Sequence, residues 1–202
     1  MNMAIYKALA NGTADMNSLR DTDLRTLLGA ASALPSATLS RETSLMLPVK
    51  EVITLTDFSV TVANTTGASF GNGKIYDFPE GRILVLGAVA NLTFNWSGQD
   101  IGATGSGDFS LGSTATADAT LSSTDANMIA SSAMTDPFVA GVGSGVGSSA
   151  AAVYLDGTTT AADAYLNLII DDADVADAAS DTVLVNGTIT LYFINLGDYT
   201  AV

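Results

Sequence analysis

The sequence predicts an all-β protein, an antiparallel β-sandwich (jelly-roll-like) preceded by an N-terminal arm containing a short α-helix. Three observations carry this. From Val49 onward, β-branched and aromatic residues alternate with polar ones in short runs. Turn signals such as Asn72-Gly73, Pro79-Glu80-Gly81 and Asp156-Gly157 separate the runs. The 202 residues are 48% apolar and only 14% charged, which describes a packed domain rather than a disordered chain.

The boundary falls near residue 47, dividing an arm (residues 1–46) from a body (residues 47–202). In the arm, Met16, Leu19, Leu24, Leu27, Leu28 and Ala31 recur at spacings of three to five. Asp15 or Asn17 is placed to cap this helix, Gly29 weakens it and Pro35 ends it. Residues 1–14 and 35–46 read as extended or loop.

In the body, residues 52–56 are rich in β-branched side chains, and Phe58, Val60 and Val62 alternate with polar neighbours. Residues 64–67 and Asn72-Gly73 read as turns, the second as a hairpin. Ile75, Tyr76 and Phe78 form a short strand. Residues 82–90 and then Leu92, Phe94 and Trp96 continue the β pattern. Residues 98–107 are a glycine-rich loop, and Phe109 and Leu111 open another strand. The Ala/Ser/Thr-rich residues 113–136 give no clear element. Residues 141–149 (GVGSGVGSS) read as a flexible loop. Residues 150–155 and 164–170 read as strands, and 171–181 as an acidic loop. Residues 182–195 carry the strongest β signal, either a hairpin or a long strand broken at Asn186-Gly187. The total is about eight strands, with no internal repeat.

Charge and missing residue types narrow the function. The formal net charge is −14. All seven cations (Lys7, Arg20, Arg25, Arg41, Lys50, Lys74, Arg82) lie in the first 82 residues, and the remainder holds thirteen aspartates. Such a surface repels phosphate backbones, so no nucleic-acid partner is expected. The longest apolar run, residues 83–90, is far short of the ~20 residues of a membrane span, so no membrane partner is expected. The first dozen residues lack the apolar stretch of a secretory signal. There is no cysteine and no histidine, which removes thiol chemistry, disulfides and the usual base near neutral pH.

The remaining chemistries each meet a plainer reading. A Ser-Lys pair would need Lys7, Lys50 or Lys74, none of which sits in a motif. A carboxylate pair for glycoside hydrolysis finds few glutamates (Glu42, Glu51, Glu80), and aspartates are so common that pairs arise by chance. Asp171, Asp172, Asp174, Asp177 and Asp181 offer oxygen ligands for calcium but lack the glycine and terminal glutamate of an EF-hand, and read as a solvated loop. Gly141, Gly143 and Gly145 lack the lysine of a phosphate loop. Trp96 and the tyrosines read as core or sheet-face residues rather than a sugar platform. No catalytic, cofactor or metal site is therefore expected, and the chain reads as a non-enzyme.

Residues 109–135 (FSLGSTATADATLSSTDANMIASSAMT) resemble a segment of small structural proteins of tailed bacteriophages. In that segment a Gly-Thr/Ser, Ala-Asp and Thr-Leu-Ser-x-Thr-Asp/Glu pattern precedes an Ile/Leu and a Ser-Thr pair. Residues 185–201 (VNGTITLYFINLGDYTA) look like the closing strands of the same proteins, and residues 81–96 share the likeness. It covers about half the chain, all within the body. Near residue 132, Ser-Ala stands where relatives tend to carry proline, so the local turn is expected to differ. The resemblance is to capsid decoration (cement, head structural) proteins. It implies a jelly-roll-like body on the outer capsid surface of a virion, made in the host cytoplasm. The implied partners are the major capsid protein and the chain itself, as a homo-oligomer with a trimer favoured over a dimer. It brings no catalytic residues. The alternative is a head-fibre, tail or baseplate adhesin binding host surface glycans, which would need an exposed aromatic or Asp-lined groove.

Overall fold

A computed structural model describes residues 37–42, 48–65, 68–96, 107–139, 142–149, 151–170 and 180–197. Among them lie eleven strands: β1 (Ala37–Glu42), β2 (Val49–Thr65), β3 (Ala68–Asp77), β4 (Gly81–Trp96), β5 (Gly107–Gly112), β6 (Ile129–Ala133), β7 (Thr135–Val139), β8 (Val142–Ser148), β9 (Val153–Gly157), β10 (Asp163–Ile170) and β11 (Ser180–Gly197). A 3-10 turn, Ser123–Asp125, interrupts the connection between β5 and β6. The pairings among these strands are antiparallel, and the described chain is all-β as expected.

The architecture is a single sheet of order β6-β5-β10-β3-β2-β11-β4-β8-β7, with β1 also on β2 and β9 also on β4. It curls until β6 and β8 approach each other, so it nearly closes into a barrel. Where two stacked sheets were expected, the described strands form one sheet folded on itself. The expected helix, carried by the pattern from Met16 to Ala31, lies outside the described residues. Residues 37–42, assigned by sequence to the arm, pair with the body through β1, from Ala37 opposite Leu55 to Glu42 opposite Lys50.

Three long strands form the backbone of the fold: β2, β11 and β4. On β11, Val183, Val185, Ile189, Leu191 and Phe193 all point inward and are fully buried. On β2 the inward set is Val49, Ile53 and Leu55, then Phe58, Val60 and Val62. Since side chains alternate along a strand, this change of parity marks one extra residue. It lies at Thr56-Asp57, where Val185 pairs with Phe58 but Gly187 pairs with Leu55. Asp57 takes a φ of 48°, and the Asn186 side chain closes the bulge. Its Oδ1 accepts from the Asp57 amide at 2.8 Å and its Nδ2 donates to Asp57 Oδ1 at 3.1 Å. Asn186-Gly187 is thus mid-strand rather than a hairpin turn. On β4, inward Ile83 and Val85 give way to Ala88, Ala90, Leu92 and Phe94. The bulge falls at Leu86-Gly87, opposite Tyr192.

The seam of the barrel explains the glycine run. β8 is a strand, not the flexible loop expected from its composition. Gly145 and Gly147 face inward beneath Phe109 and Ile129. A Cβ on Gly145 would stand 2.5 Å from Phe109 Cε1, and one on Gly147 2.6 Å from Ile129 Cγ2. Only glycine permits this approach. Phe109 in turn packs on Phe94 across the interior, ring centroids 5.6 Å apart. Asn72-Gly73, expected as a hairpin turn, likewise lies within β3, where a Cβ on Gly73 would meet the Phe58 ring at 2.6 Å. A second aromatic cluster fills the other end. Tyr76 and Phe78 meet edge-to-face at 4.9 Å, and Phe78 meets Phe193 at 5.2 Å.

Candidate functional site

Of the residues that sequence patterning leaves unassigned, 113–136, residues 113–128 fold into a loop held from below, and β6 and the start of β7 take up the rest. The fully buried Asn167 of β10 is its latch. Asn167 Nδ2 donates to the Thr114 carbonyl at 3.0 Å and the Asp125 carbonyl at 2.7 Å, and Oδ1 accepts from the Thr116 amide at 2.9 Å. The buried Ser110 hydroxyl donates to the same Asp125 carbonyl at 2.7 Å. Asn72 Nδ2 adds a bond to the Thr116 carbonyl at 3.2 Å. A buried polar group fully partnered in this way fixes a single loop geometry.

The fixed loop forms one wall of an open groove of about 490 Å³, faced by β9 and by the turn from β9 to β10. On the loop side stand Ser113, Thr114, Ala115, Thr124 and Asn127. Asn127 is clamped: Oδ1 accepts from the Ser113 amide at 3.0 Å and Nδ2 donates to Ser113 Oγ at 2.9 Å. Thr114 Oγ1 donates to Thr124 Oγ1 at 2.9 Å. On the opposite side stand Tyr154 and Asp156 of β9, Ala161 and Ala162 of the turn, and Asp163 and Tyr165 of β10. The turn is pinned where the Phe78 amide donates to the Ala162 carbonyl at 2.9 Å.

The groove's charges are oriented. Asp156 Oδ1 accepts from the Thr158 hydroxyl at 2.7 Å and the Thr158 amide at 3.2 Å. The Thr158 hydroxyl chiefly holds its pKa below the ordinary value, so the carboxylate is an acceptor rather than a proton donor. Asp163 Oδ1 lies 2.7 Å from Lys74 Nζ, and Asp77 Oδ2 lies 3.5 Å from the same ammonium. The hydrogen bond to Asp163 raises the Lys74 pKa against the opposing effect of burial. Tyr165 donates to Asp163 Oδ2 at 3.1 Å, and burial, then that carboxylate, pushes its phenol up.

A second feature lies on the outside of the sheet. Leu86 and Val89 of β4, Tyr192 of β11 and Val146 of β8 are all exposed, Val146 at 70%. Register brings them together: Tyr192 stands opposite Gly87, and Val146 opposite Asn91, one outward position from Val89. Tyr154, 53% exposed, continues this face toward the groove.

The other candidates raised by the sequence are scattered. Asp171, Asp172, Asp174 and Asp177 lie outside the described residues, and Asp181 lies within β11. Among the described residues no group of three or more potential metal-ligating side chains occurs. Gly143 and Gly145 lie in β8. Glu51 is buried on the inward side of β2, Glu80 is exposed before β4, and Glu42 is in β1. Lys74 is held by carboxylates. Tyr76 is core as expected, but Tyr154 and Tyr165 line the groove, which their isolated positions in sequence did not reveal. Among the described residues no helix is long and apolar enough to cross a membrane. No family model, curated protein or solved structure gives a significant match to the chain.

Proposed function

We propose that this chain is a virion structural protein that decorates the outer surface of an icosahedral phage capsid and bridges its capsomers. The observation that carries the reading is the outward apolar face of Leu86, Val89, Val146 and Tyr192. Exposed apolar clusters of this kind mark surfaces that meet a partner. The segments resembling phage structural proteins supply β4, the β5–β6 unit at one end of the sheet and most of β11. In this reading the body is jelly-roll-like, and the arm with its short helix reaches a neighbouring subunit. The major capsid protein is the lattice partner, and the chain is a homo-oligomer, a trimer before a dimer.

Mass action gives the mechanism. A protein that binds the assembled lattice and not its dissociated subunits stabilises the lattice. Contacts of millimolar strength, about −4 kcal/mol each, become tight when an oligomer links two or three of them. The test is co-sedimentation with capsid shells and the shells' melting temperature. Full-length protein is expected to pellet with shells and raise their melting temperature. Val146→Asp, and a chain lacking residues 1–36 but keeping β1, are expected to do so weakly or not at all. If the full-length chain leaves shells unbound, the capsid reading fails.

A further inference from the structure

We infer that the groove between β9, the β9–β10 turn and the 113–127 loop binds a neutral saccharide, with Tyr154 as its stacking surface and Asp156 and Asn127 as its hydrogen-bonding partners. The inference stands on residues other than Val146 and Leu86, so it does not depend on the capsid reading.

At about 490 Å³ the groove is of the size that takes a small ligand. Tyr154 presents an aromatic ring, 53% exposed, at its edge. The face of a pyranose ring that carries only C–H bonds packs on such a surface through dispersion and weak C–H contacts. The small side chains of Ala115, Ala161 and Ala162 leave room for the ring. The hydroxyl-bearing edge needs acceptors and donors that are already in place. Asp156 is ionised and rotationally fixed by Thr158 through Oδ1, so Oδ2 is the oxygen that receives a sugar hydroxyl. A hydroxyl bond to a carboxylate is shorter and stronger than a neutral one. Asn127, clamped to Ser113, retains a second amide hydrogen for a sugar oxygen. Because Asn167 holds the loop wall from beneath, little ordering remains to oppose binding.

Charge selects the class. Asp156 and Asp163 both face the groove, while the Lys74 ammonium beside Asp163 is already engaged by Asp163 and Asp77. Arg82 stands opposite Asp156 in the β4–β9 register and its charge reaches that carboxylate, so it offsets part of the Asp156 charge, but it does not line the groove. Phosphorylated, sulfated and uronic acid sugars are therefore repelled and neutral hexoses are favoured. With Asp156 held in its acceptor form, the arrangement fits retention of the sugar rather than protonation of a glycosidic oxygen.

The experiment is a glycan array carrying neutral, acidic and amino glycans, followed by calorimetric titration of the full chain with the best neutral glycan. Neutral glycans are expected to bind. Tyr154→Ala and Asp156→Asn should each weaken binding about tenfold, Tyr154→Phe should restore most of it, and Val146→Asp should leave it unchanged. Melting curves check that each variant is folded, and both substituted side chains are exposed. The inference is overturned by silence across the neutral glycans, by a preference for acidic or amino glycans, or by binding indifferent to both substitutions. Shell binding without glycan binding sinks this inference alone, and the reverse sinks the capsid reading alone.

Discussion

Asn167→Ala tests whether one buried amide holds the groove. The side chain is fully buried and makes three bonds, to the Thr114 carbonyl, the Asp125 carbonyl and the Thr116 amide. After substitution the Asp125 carbonyl keeps the Ser110 hydroxyl, but the buried Thr116 amide loses the Asn167 acceptor. An orphaned buried donor costs about 1–3 kcal/mol, and each of the other two bonds about 1 kcal/mol net. The expected loss is therefore ~3–5 kcal/mol, a large part of the ~5–15 kcal/mol that holds a typical domain. Urea denaturation measures it, with an unchanged m-value showing that the unfolding unit is the same. Amide exchange at Thr116 should accelerate with it. Asn167→Asp keeps the acceptor but turns a carboxylate toward two carbonyls, and should cost at least as much. A loss below about 1 kcal/mol with Thr116 exchange unaltered would refute the latch, and the pre-ordered groove wall with it.

Gly147→Val places a side chain against Ile129 and Phe109 at the barrel seam; overpacking of this kind should lower stability by about 1–3 kcal/mol, read from the denaturation midpoint, while Val146→Ala on the outer side should change it by less than ~0.5 kcal/mol. Asn186→Ala removes both bonds that close the β2 bulge, and should cost about 1–2 kcal/mol by the same measurement. Lys74 and Tyr165 both carry raised folded-state pKa values, relative to ordinary values of 10.5 and 10.0. Groups that hold a proton more tightly when folded give stability that is complete below the unfolded pKa and lost as pH rises through the folded one. Midpoints measured from pH ~8 to ~11 should therefore fall at the alkaline end, and Tyr165→Phe should flatten that fall; a steep fall unchanged in the variant would place its origin elsewhere.

The all-β class was legible because alternation survives in the long strands: Ile189, Leu191 and Phe193 read inward in sequence and are buried in the structure. Turn chemistry misled where glycine serves close approach. Asn72-Gly73 and residues 142–149 of the glycine run carry turn or loop composition, yet lie in or along a strand against a ring or a seam, whereas at Asn186-Gly187 the long-strand reading holds and the hairpin reading does not. A single sequence cannot distinguish these uses, because the neighbour that demands glycine is distant in the chain: Phe58 for Gly73, Phe109 for Gly145. Parity changes hid the length of β2 and β4, since a bulge makes one long strand look like two short ones. The groove was illegible for a related reason. Tyr154 and Asp156 come from β9, Asp163 and Tyr165 from β10, and Asn127 from a loop of small polar residues with no periodicity. Long-range bonds gather them: β9 pairs with β4, the Phe78 amide holds the β9–β10 turn, and Asn167, Ser110 and Asn72 hold the loop.

The two bulges account for how one sheet supports both surfaces. β11 runs between β2 and β4, each of which carries one extra residue against it, and β11 carries one of its own at Leu196 near its end. Each bulge falls where the outer partner of its strand changes: β2 passes from β1 to β3 across Thr56-Asp57, and β4 passes from β9 to β8 across Leu86-Gly87. A bulge bends its strand and increases local twist, so the two together allow the sheet to curl at the end that β3, β10, β5, β6 and β8 enclose. They also separate β9 from β8 along the same edge of β4. β9 is thereby released to lead through its turn into β10, where Asn167 draws in the loop that faces it. Leu86 is the extra residue of the β4 bulge, and it emerges on the outer face beside Tyr192 and Val89. The same one-residue insertion that lets the barrel curl therefore opens the groove on one side and sets an apolar side chain outward on the other. Shortening the bulge would disturb both surfaces together, whereas substitutions at Val146 or Asp156 address them one at a time.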